Sequence, residues 1–327
     1  MRPACHKSEA SGARSRLDRG SVFALQPLAL SPANRDRGST GQTVEGRLQI
    51  ELWQVVVLAL IQGVTELFPV SSLGHAVILP DVLHWKIDQG SETWLPFLVV
   101  MHLGTAIALL LFFWRDWFDF LMAVVANKGP RPREERRVFW RVVVATLPAV
   151  VLGALLEKHL KEIFASPTLA SGFLILNGIM LFVADRMKRD GSKSLDALSF
   201  IDALIIGFMQ CLALIPGISR SGSTMVGGYR VGLNHEDAAR FSFLTATPII
   251  LGATVFELPK LLKHKAEYHG MLESSVIAGA VAGVAAFVSV WALMRWFKQH
   301  EVKGFTPFAI YCVIAGVLAL GWKLVGH

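Results

Sequence analysis

Residues Gln62–His75 read QGVTELFPVSSLGH, and they place a carboxylate, two serines and a histidine at the end of an apolar segment. An ionisable group inside a membrane segment is costly and is by default a candidate for function. Pro69 and Gly74 interrupt the apolar run, because proline lacks a backbone N–H and glycine tolerates unusual dihedral angles. The stretch therefore predicts a helix–loop–helix break inside a membrane protein.

The composition of the whole chain supports a membrane location. Of its 327 residues, 53% are hydrophobic and only 17% are charged, whereas a soluble domain is about 25% charged. Apolar runs that approach the roughly 20 residues needed to cross a bilayer recur along the chain. They are Trp94–Trp114, Val142–Leu156, Leu169–Ala184, Phe241–Phe256, Ser275–Met294 and Phe305–Leu320. The predicted fold class is an all-α polytopic membrane protein with about six transmembrane helices.

The formal net charge of +7 is concentrated in short loops. Lysines and arginines cluster in residues 128–141 and 186–193, and short loops rich in these residues stay cytoplasmic. The loop Glu157–Pro167 balances its charges and is predicted to be external. This placement argues against a nucleic-acid partner. The three cysteines are widely spaced and fit neither a disulfide framework nor a zinc site.

Residues 1–48 differ from the rest of the chain, since they are rich in arginine, serine and glycine. We predict a basic, disordered extension, or a start codon assigned too early, in preference to a cleaved signal peptide. The integral-membrane domain is predicted to cover residues 49–327, with halves at about 49–190 and 197–327.

The two halves show an internal similarity. A shift of 148 positions aligns Gln62 with Gln210, Ser71 with Ser219, Gly74 with Gly222, and Leu103-Gly104 with Leu251-Gly252. Paired, interrupted apolar segments in two halves are typical of inverted repeats with a site near the middle of the membrane. Non-helical backbone at that depth must be buried in protein or line a wet cavity. We therefore predict two re-entrant hairpins whose tips meet inside the protein.

The second break, QCLALIPGISRSGST at Gln210–Thr224, contains a permanent cation among hydroxyl groups. Pro216 and Gly217 predict that the helix ends near Ile215. Arginine binds phosphate oxygens in a bidentate manner, and hydroxyls with free amides at a helix N-terminus complete an anion site. Arg220 could instead extend to the membrane interface, but that role requires no ring of serine, threonine and glycine.

Glu66 lies one helical turn after Gln62, so both side chains share a face. Their oxygen atoms could hold a divalent cation. Glu66 could also act as an acid or base, or form a structural ion pair with Arg220. His75 is a candidate nucleophile or proton shuttle, against the alternative of a packing residue.

Four further polar residues receive more modest assignments. Ser71 and Ser72 are ambiguous, because serine after proline often caps a helix. His102, on an apolar span, is interpreted as structural. Asn177, also within a span, is interpreted as a contact between helices.

The two breaks resemble the motifs of the undecaprenyl-diphosphate phosphatase family, also called the bacitracin-resistance family. QGVTELFPVSSLGH and PGISRSGST (Pro216–Thr224) match its two motifs in order and separation, and the similarity extends over about residues 50–325. It implies a multi-pass enzyme of the bacterial cytoplasmic (inner) membrane that hydrolyses undecaprenyl diphosphate to undecaprenyl phosphate and inorganic phosphate. This reaction recycles the lipid carrier of peptidoglycan synthesis. The resemblance also implies six spans, two re-entrant hairpins in an inverted repeat, a site open to the outer face, and Mg²⁺ or Ca²⁺ as cofactor.

The resemblance also assigns residues to roles. The catalytic set it implies is Glu66, Ser72, His75 and Arg220. The metal ligands it implies are Gln62 and Glu66, and the substrate-binding residues are Ser71, Ser219, Arg220, Ser221 and Thr224. Some members of the family carry glutamate where this chain has Gln62, so a mechanism that needs two carboxylates is in question. The attacking group is His75, Ser72 or a water activated by His75, and we favour His75 acting with Ser72.

The expected partners are a polyprenyl diphosphate lipid, the surrounding membrane lipid and, as one option, a second copy of the chain in a homodimer. Two other functional classes stay open from the residues alone. One is a transporter of a lipid phosphate or a small anion, and the other is a membrane scaffold without enzyme activity.

Overall fold

The described residues form helices connected by loops. The computed structural model describes residues 50–89, 91, 94–164, 166–187, 193–263, 269–300 and 303–325, without the side chains of 157–164, 258–263 and 269–272. The predicted extension 1–48 lies outside the described residues. Among the described residues there is no β-strand, only an isolated bridge between Lys193 and Leu233.

Eleven α-helices are present in the described part of the chain. They are α1 Leu52–Thr65, α2 Ser72–Val82, α3 Trp94–Phe112, α4 Trp114–Val125, α5 Pro132–Phe164, α6 Pro167–Ala184, α7 Phe200–Cys211, α8 Arg220–Arg230, α9 His235–Lys263, α10 His269–Gln299 and α11 Thr306–Leu324. A short 3-10 turn, Leu212–Leu214, extends α7, so the helix ends where Pro216 and Gly217 predict.

Six helical segments are long and apolar enough to cross a membrane. They are Trp94–Phe112, Pro132–Leu156, Pro167–Ala184, His235–Glu257, Glu273–Gln299 and Thr306–Leu324. Each overlaps one of the apolar runs seen in the sequence, with ends that agree within two residues or extend beyond the run, so the predicted all-α polytopic fold is confirmed. In contrast, α1 has 14 residues and α7 has 12. At 1.5 Å per residue, helices of that length reach only about 20 Å, short of the ~30 Å hydrocarbon core.

The short helices form two matching hairpins, α1–α2 and α7–α8. The shift of 148 positions brings the start of α1 onto the start of α7 and superposes both ends of α2 on those of α8. Three spanning helices, α3, α5 and α6, separate the hairpins. An odd number of crossings places the two hairpins on opposite sides of the membrane, which is the arrangement of an inverted repeat.

The loops of the two hairpins meet. A Cβ atom on Gly74 would lie 3.0 Å from the Cα of Gly217, and a Cβ on Gly222 would lie 3.2 Å from the Cβ of Pro69. The repeat relates Pro69 to Gly217 and Gly74 to Gly222, so these are two copies of one contact. The symmetry axis of the repeat therefore passes between the hairpin loops.

Asn177 of α6 holds the two loops together. Its Nδ2 donates to the carbonyl of Pro69 at 2.9 Å, and its Oδ1 accepts from the backbone N–H of Ser219 at 3.0 Å. Asn177 is completely buried, and buried backbone groups without partners are costly. The interpretation of Asn177 as a contact between helices is borne out, since its Nδ2 also lies 3.3 Å from Cys312 Sγ of α11, and the same side chain additionally joins the two loops.

Each hairpin packs against a span of the other half. Helix α1 packs on α10, and α7 packs on α5. Small residues permit this approach, since a Cβ on Gly63 of α1 would lie 2.3 Å from the carbonyl oxygen of Ala282, as is typical of membrane helix interfaces. The repeat units are therefore interlocked, and Gly46–His327 forms one unit.

Candidate active site

Glu66 lies at the centre of the site because α1 ends there. It follows the last helical residue, Thr65, and Gln62 precedes it by one turn. The Glu66 side chain is 6% exposed. Its Oε2 accepts hydrogen bonds from Ser72 Oγ at 2.5 Å and from Gln62 Nε2 at 3.2 Å, and its Oε1 accepts from Arg220 Nη2 at 2.7 Å. Glu66 thus joins the two hairpins through one carboxylate.

Arg220 is the first residue of α8, in the second hairpin. Its Nη2 binds Glu66, and its Nη1 donates to the carbonyl oxygen of Ser242 at 3.2 Å. These bonds use two of the five N–H donors of a guanidinium. The remaining donors, together with the first amides of α8, can bind an anion. The bonded carboxylate and carbonyl hold the fork of Arg220 in place for that purpose.

All four predicted substrate-binding hydroxyls have hydrogen-bond partners within the protein. Ser71 Oγ accepts from the N–H of Gly74 at 3.2 Å, and Ser219 Oγ accepts from the N–H of Gly222 at 3.1 Å. These are helix N-caps, and the repeat relates one to the other. Ser71 also adopts a φ of 69°, which is unusual for a residue with a side chain.

The other two predicted hydroxyls, both in the second hairpin, also have protein partners. Ser221 Oγ donates to the carbonyl of Phe68 at 3.1 Å, and Thr224 Oγ1 donates to the carbonyl of Arg220 at 2.6 Å. Both side chains are almost completely buried. These contacts position the hairpins. Substrate binding by Ser71, Ser219, Ser221 and Thr224 stays a prediction.

His75 bonds to Ser71 and Tyr311. It lies on the first turn of α2, where its Nδ1 contacts the carbonyl oxygen of Ser71 at 2.7 Å. Because that oxygen only accepts, Nδ1 is the donor, and Nε2 accepts from the hydroxyl of Tyr311 at 2.8 Å. The two rings stack with centroids 5.7 Å apart. Among the described contacts, His75 touches Ser71 but none joins it to Glu66, and its catalytic role stays a prediction.

His102 is the residue of the site that the sequence interpretation missed. Its Nε2 lies 3.3 Å from Glu66 Oε2, and its Nδ1 donates to the carbonyl of Leu98 at 2.7 Å. The interpretation of His102 as structural is therefore incomplete, because the ring contacts the central carboxylate. The signal was available: an ionisable side chain in a membrane span is a functional candidate by default.

The oxygen atoms beside Glu66 suit a divalent cation. Gln62 Oε1 is buried and has no hydrogen-bond partner within the described part of the chain. The described residues contain no group of three or more His, Cys, Asp or Glu that could hold a metal. Mg²⁺ often takes one or two protein oxygens, with water and substrate phosphates as its other ligands. Gln62 and Glu66 fit that pattern.

Comparison with known proteins gives a consistent result. The family model described as "Bacitracin resistance protein BacA" matches residues 55–318. Proteins named undecaprenyl-diphosphatase from Acidiphilium cryptum and Granulibacter bethesdensis are 49% and 48% identical, over 81% and 82% of this chain and 95% and 96% of theirs. Undecaprenyl-diphosphatase 2 of Chromobacterium violaceum is 47% identical over 83% of this chain and 99% of its own. Both motifs and the contacts of Glu66 with Arg220 lie inside the matched region, and the chain belongs to the BacA, or bacitracin resistance protein, family.

Proposed function

We infer that the chain is a membrane-embedded undecaprenyl-diphosphatase. It hydrolyses undecaprenyl diphosphate to undecaprenyl phosphate and inorganic phosphate, and so recycles the lipid carrier for peptidoglycan synthesis. The observation that carries this function is the contact between Glu66 and Arg220, which are 154 residues apart in sequence and 2.7 Å apart in the fold. A buried cation with free donors, beside a carboxylate inside a membrane protein, suits a diphosphate whose tail stays in the lipid.

The catalytic step that these contacts support starts at Ser72. Its hydroxyl donates to Glu66 at 2.5 Å, so the carboxylate can accept the proton as the Ser72 oxygen attacks the terminal phosphorus. The bond from that phosphorus to the bridging oxygen breaks, and undecaprenyl phosphate leaves. Water then hydrolyses the phosphoserine to inorganic phosphate and restores the hydroxyl. Glu66 takes the place beside Ser72 for which His75 was favoured.

Arg220 supplies electrostatic stabilisation in this scheme. In phosphoryl transfer the protein must above all stabilise the charge on the phosphoryl oxygens. Hydrogen-bond donors that are held in position before the reaction make the largest contribution to that stabilisation. The bonds from Arg220 to Glu66 and to the Ser242 carbonyl fix the guanidinium before substrate binds.

Trapping of the phosphorylated enzyme tests the attack by Ser72. Ser72→Ala should form no phosphoserine and release no phosphate, whereas His75→Ala should still form the phosphoserine.

A divalent cation, Mg²⁺ or Ca²⁺, is part of the proposal. Gln62 Oε1 and the Glu66 carboxylate would hold it, and when bound it would offset charge on the diphosphate. The free Gln62 oxygen supports this assignment. Gln62→Glu adds a charge at the same position, so Mg²⁺ should stabilise that variant against heating at lower concentrations than the wild type. Equal Mg²⁺ dependence of melting in the two proteins would remove Gln62 from the ligand set.

The cellular setting follows from the fold and from the substrate. The chain is a multi-pass membrane protein, and the bacterial cytoplasmic membrane is the proposed location. Polyprenyl diphosphate and membrane lipid are its proposed partners. The homodimer and the lack of a nucleic-acid partner stay predictions. Light scattering of the purified chain in detergent would give the number of copies.

Phosphate release in detergent is the test of this function. Transport requires a sealed membrane, whereas hydrolysis does not, so the experiment separates the enzyme from the transporter considered above. The names of the relatives also favour the hydrolase. Purified chain should release phosphate from undecaprenyl diphosphate, and a chelator should stop the release reversibly. A folded preparation that binds the lipid without releasing phosphate would contradict the proposal.

A further inference from the structure

A second cluster of arginines lies where α5 begins, apart from the site built on Glu66. A cavity of about 180 Å³ is lined there by Arg133, Arg136, Arg137, Trp140 and Phe200. We call it the arginine pocket. Four of its residues belong to the first turns of α5, and Phe200 is the first residue of α7. The arginine pocket thus lies between a spanning helix and the start of the second hairpin.

Few acidic groups offset the positive charge of the arginines that line the pocket. Arg136 donates to Asn127 Oδ1 at 3.2 Å, and in the described structure neither Arg133 nor Arg137 forms a salt bridge. Of the two glutamates in the first turn of α5, Glu134 pairs with the guanidinium of Arg131, which is outside the pocket, and Glu135 accepts from the backbone N–H of Arg131. The arginine pocket therefore carries an excess of positive charge.

Arg141, one turn after Arg137, adds a buried cation behind the pocket. It is 9% exposed, and its Nε and Nη1 are buried without a hydrogen-bond partner among the described residues. Its guanidinium carbon lies 5.8 Å from the ring centroid of Phe200, which lines the pocket. Asp196 and Asp202 attract Arg141, but neither forms a salt bridge with it in the part of the chain that the structure describes, and Asp202 is bonded to Lys193. A buried charge without partners is costly, so an anion in the pocket would relieve that cost.

The position of the arginine pocket relative to the membrane indicates which class of ligand it can bind. The pocket belongs to the basic segment 128–141, and the bias of lysine and arginine places this end of α5 on the cytoplasmic side. Trp140 and Phe200 are 47% and 55% exposed, so the pocket also presents two apolar rings at the level of the interface. A ligand that matches both features has a phosphate and acyl chains.

We propose that the arginine pocket binds the phosphate of an anionic phospholipid from the cytoplasmic leaflet. The arginines would bind the phosphate oxygens in a bidentate manner, and the acyl chains would lie along Trp140 and Phe200. Basic pockets between transmembrane helices bind lipid head groups in this way. Because α7 packs on α5 and is followed by the loop that leads to Arg220, the bound lipid would stabilise the second hairpin against α5.

Native mass spectrometry of the full chain in detergent tests the proposal. The protein is titrated with phosphatidylglycerol, phosphatidylcholine or inorganic phosphate, and dissociation constants are measured. The test variant is Arg133→Gln with Arg137→Gln, since both arginines line the pocket. The matched control is Arg295→Gln, since Arg295 lies at the end of another spanning helix beside an exposed tryptophan, Trp291, but lines no part of the pocket. Phosphate release in detergent should be unchanged in all variants and reports that they are folded.

The expected result is selective binding of phosphatidylglycerol by the wild type and by Arg295→Gln. At about fivefold per arginine, the dissociation constant of the double variant should rise on the order of 25-fold. An unchanged constant would overturn the proposal. Displacement of phosphatidylglycerol by equimolar inorganic phosphate would also overturn it, in favour of a free-phosphate site. If the double variant does not fold, Arg133→Gln alone should weaken binding about fivefold, and no change there would be equally decisive.

Discussion

Replacing Glu66 with glutamine removes the negative charge that faces Arg220 while keeping the length of the side chain. The two groups are 2.7 Å apart, and their side chains are 6% and 14% exposed. Removing one partner of a buried ion pair costs about 3–5 kcal/mol, because the other charge stays buried without compensation. We therefore expect Glu66→Gln and Arg220→Gln each to lower the free energy of unfolding by about that amount.

The double variant should lose far less than the sum of the two single changes. Two amides at these positions can bond to each other and leave no buried charge, so a coupling of about 2–3 kcal/mol is expected. The assay is denaturant unfolding in mild detergent, followed by tryptophan fluorescence. The pair of Lys323 with Asp81 provides the control, since its atoms are also 2.7 Å apart but its side chains are 37% and 29% exposed. That exposed pair should couple by less than about 1 kcal/mol. Additive effects at Glu66 and Arg220, within about 0.5 kcal/mol, would refute the assignment of a buried pair.

Three further predictions concern residues that hold the hairpins and the helix ends. Gly217→Ala should lower the free energy of unfolding by more than about 2 kcal/mol and should reduce phosphate release. The reason is that the φ of Gly217 is 96° and the new Cβ would lie 2.2 Å from a carbonyl oxygen. Gly172→Ala is the control that should be tolerated, since there is open space around Gly172. Asn177→Leu should lower the free energy of unfolding by about 2–4 kcal/mol in the same assay, because two buried backbone groups lose their partners. A loss below about 0.5 kcal/mol would contradict the role of Asn177 in joining the loops. Burial raises the pKa of Asp185, but hydrogen bonds from His235, Thr306 and the Phe305 N–H outweigh that effect and lower it below the ordinary value. The stabilisation by Asp185 is therefore complete above the unfolded pKa of about 3.9 and is lost as pH falls through the lower folded value; the difference in melting temperature between wild type and Asp185→Asn should be constant from about pH 5 to 8 and should shrink in stronger acid.

Much of the fold could be predicted because it depends on local patterns. Apolar runs of spanning length mark the six transmembrane helices, and Pro69 and Pro216 mark the breaks where helices must end. The repeat was visible for the same reason, since the two loops need the same cap and glycine at matching positions. Ser71 and Ser219 occupy those cap positions, which the alignment of the halves had already paired.

The parts of the site that escaped prediction depend on how helices are rotated and at what depth they lie. His102 reaches Glu66 because α3 packs beside α1, and nothing in the local sequence sets that depth. His75 is close to Glu66 along the chain, but the first turn of α2 directs its ring toward Tyr311 of the last helix. Spacing in sequence thus identified the polar residues of the site, whereas only the packing shows which of them touch.

The most direct test of the account compares phosphate release from undecaprenyl diphosphate by wild type and by Arg220→Lys, both purified in detergent. Lysine keeps the charge but loses the planar fork that binds Glu66 and the Ser242 carbonyl and that would bind a phosphate in the same plane. The wild type should turn over, and the rate of the folded variant should fall about 10²–10³-fold, the effect of removing a donor that stabilises a developing oxyanion. A rate within about threefold of wild type, well below the loss expected for such a donor, would contradict the claim that Arg220 and Glu66 form the active site.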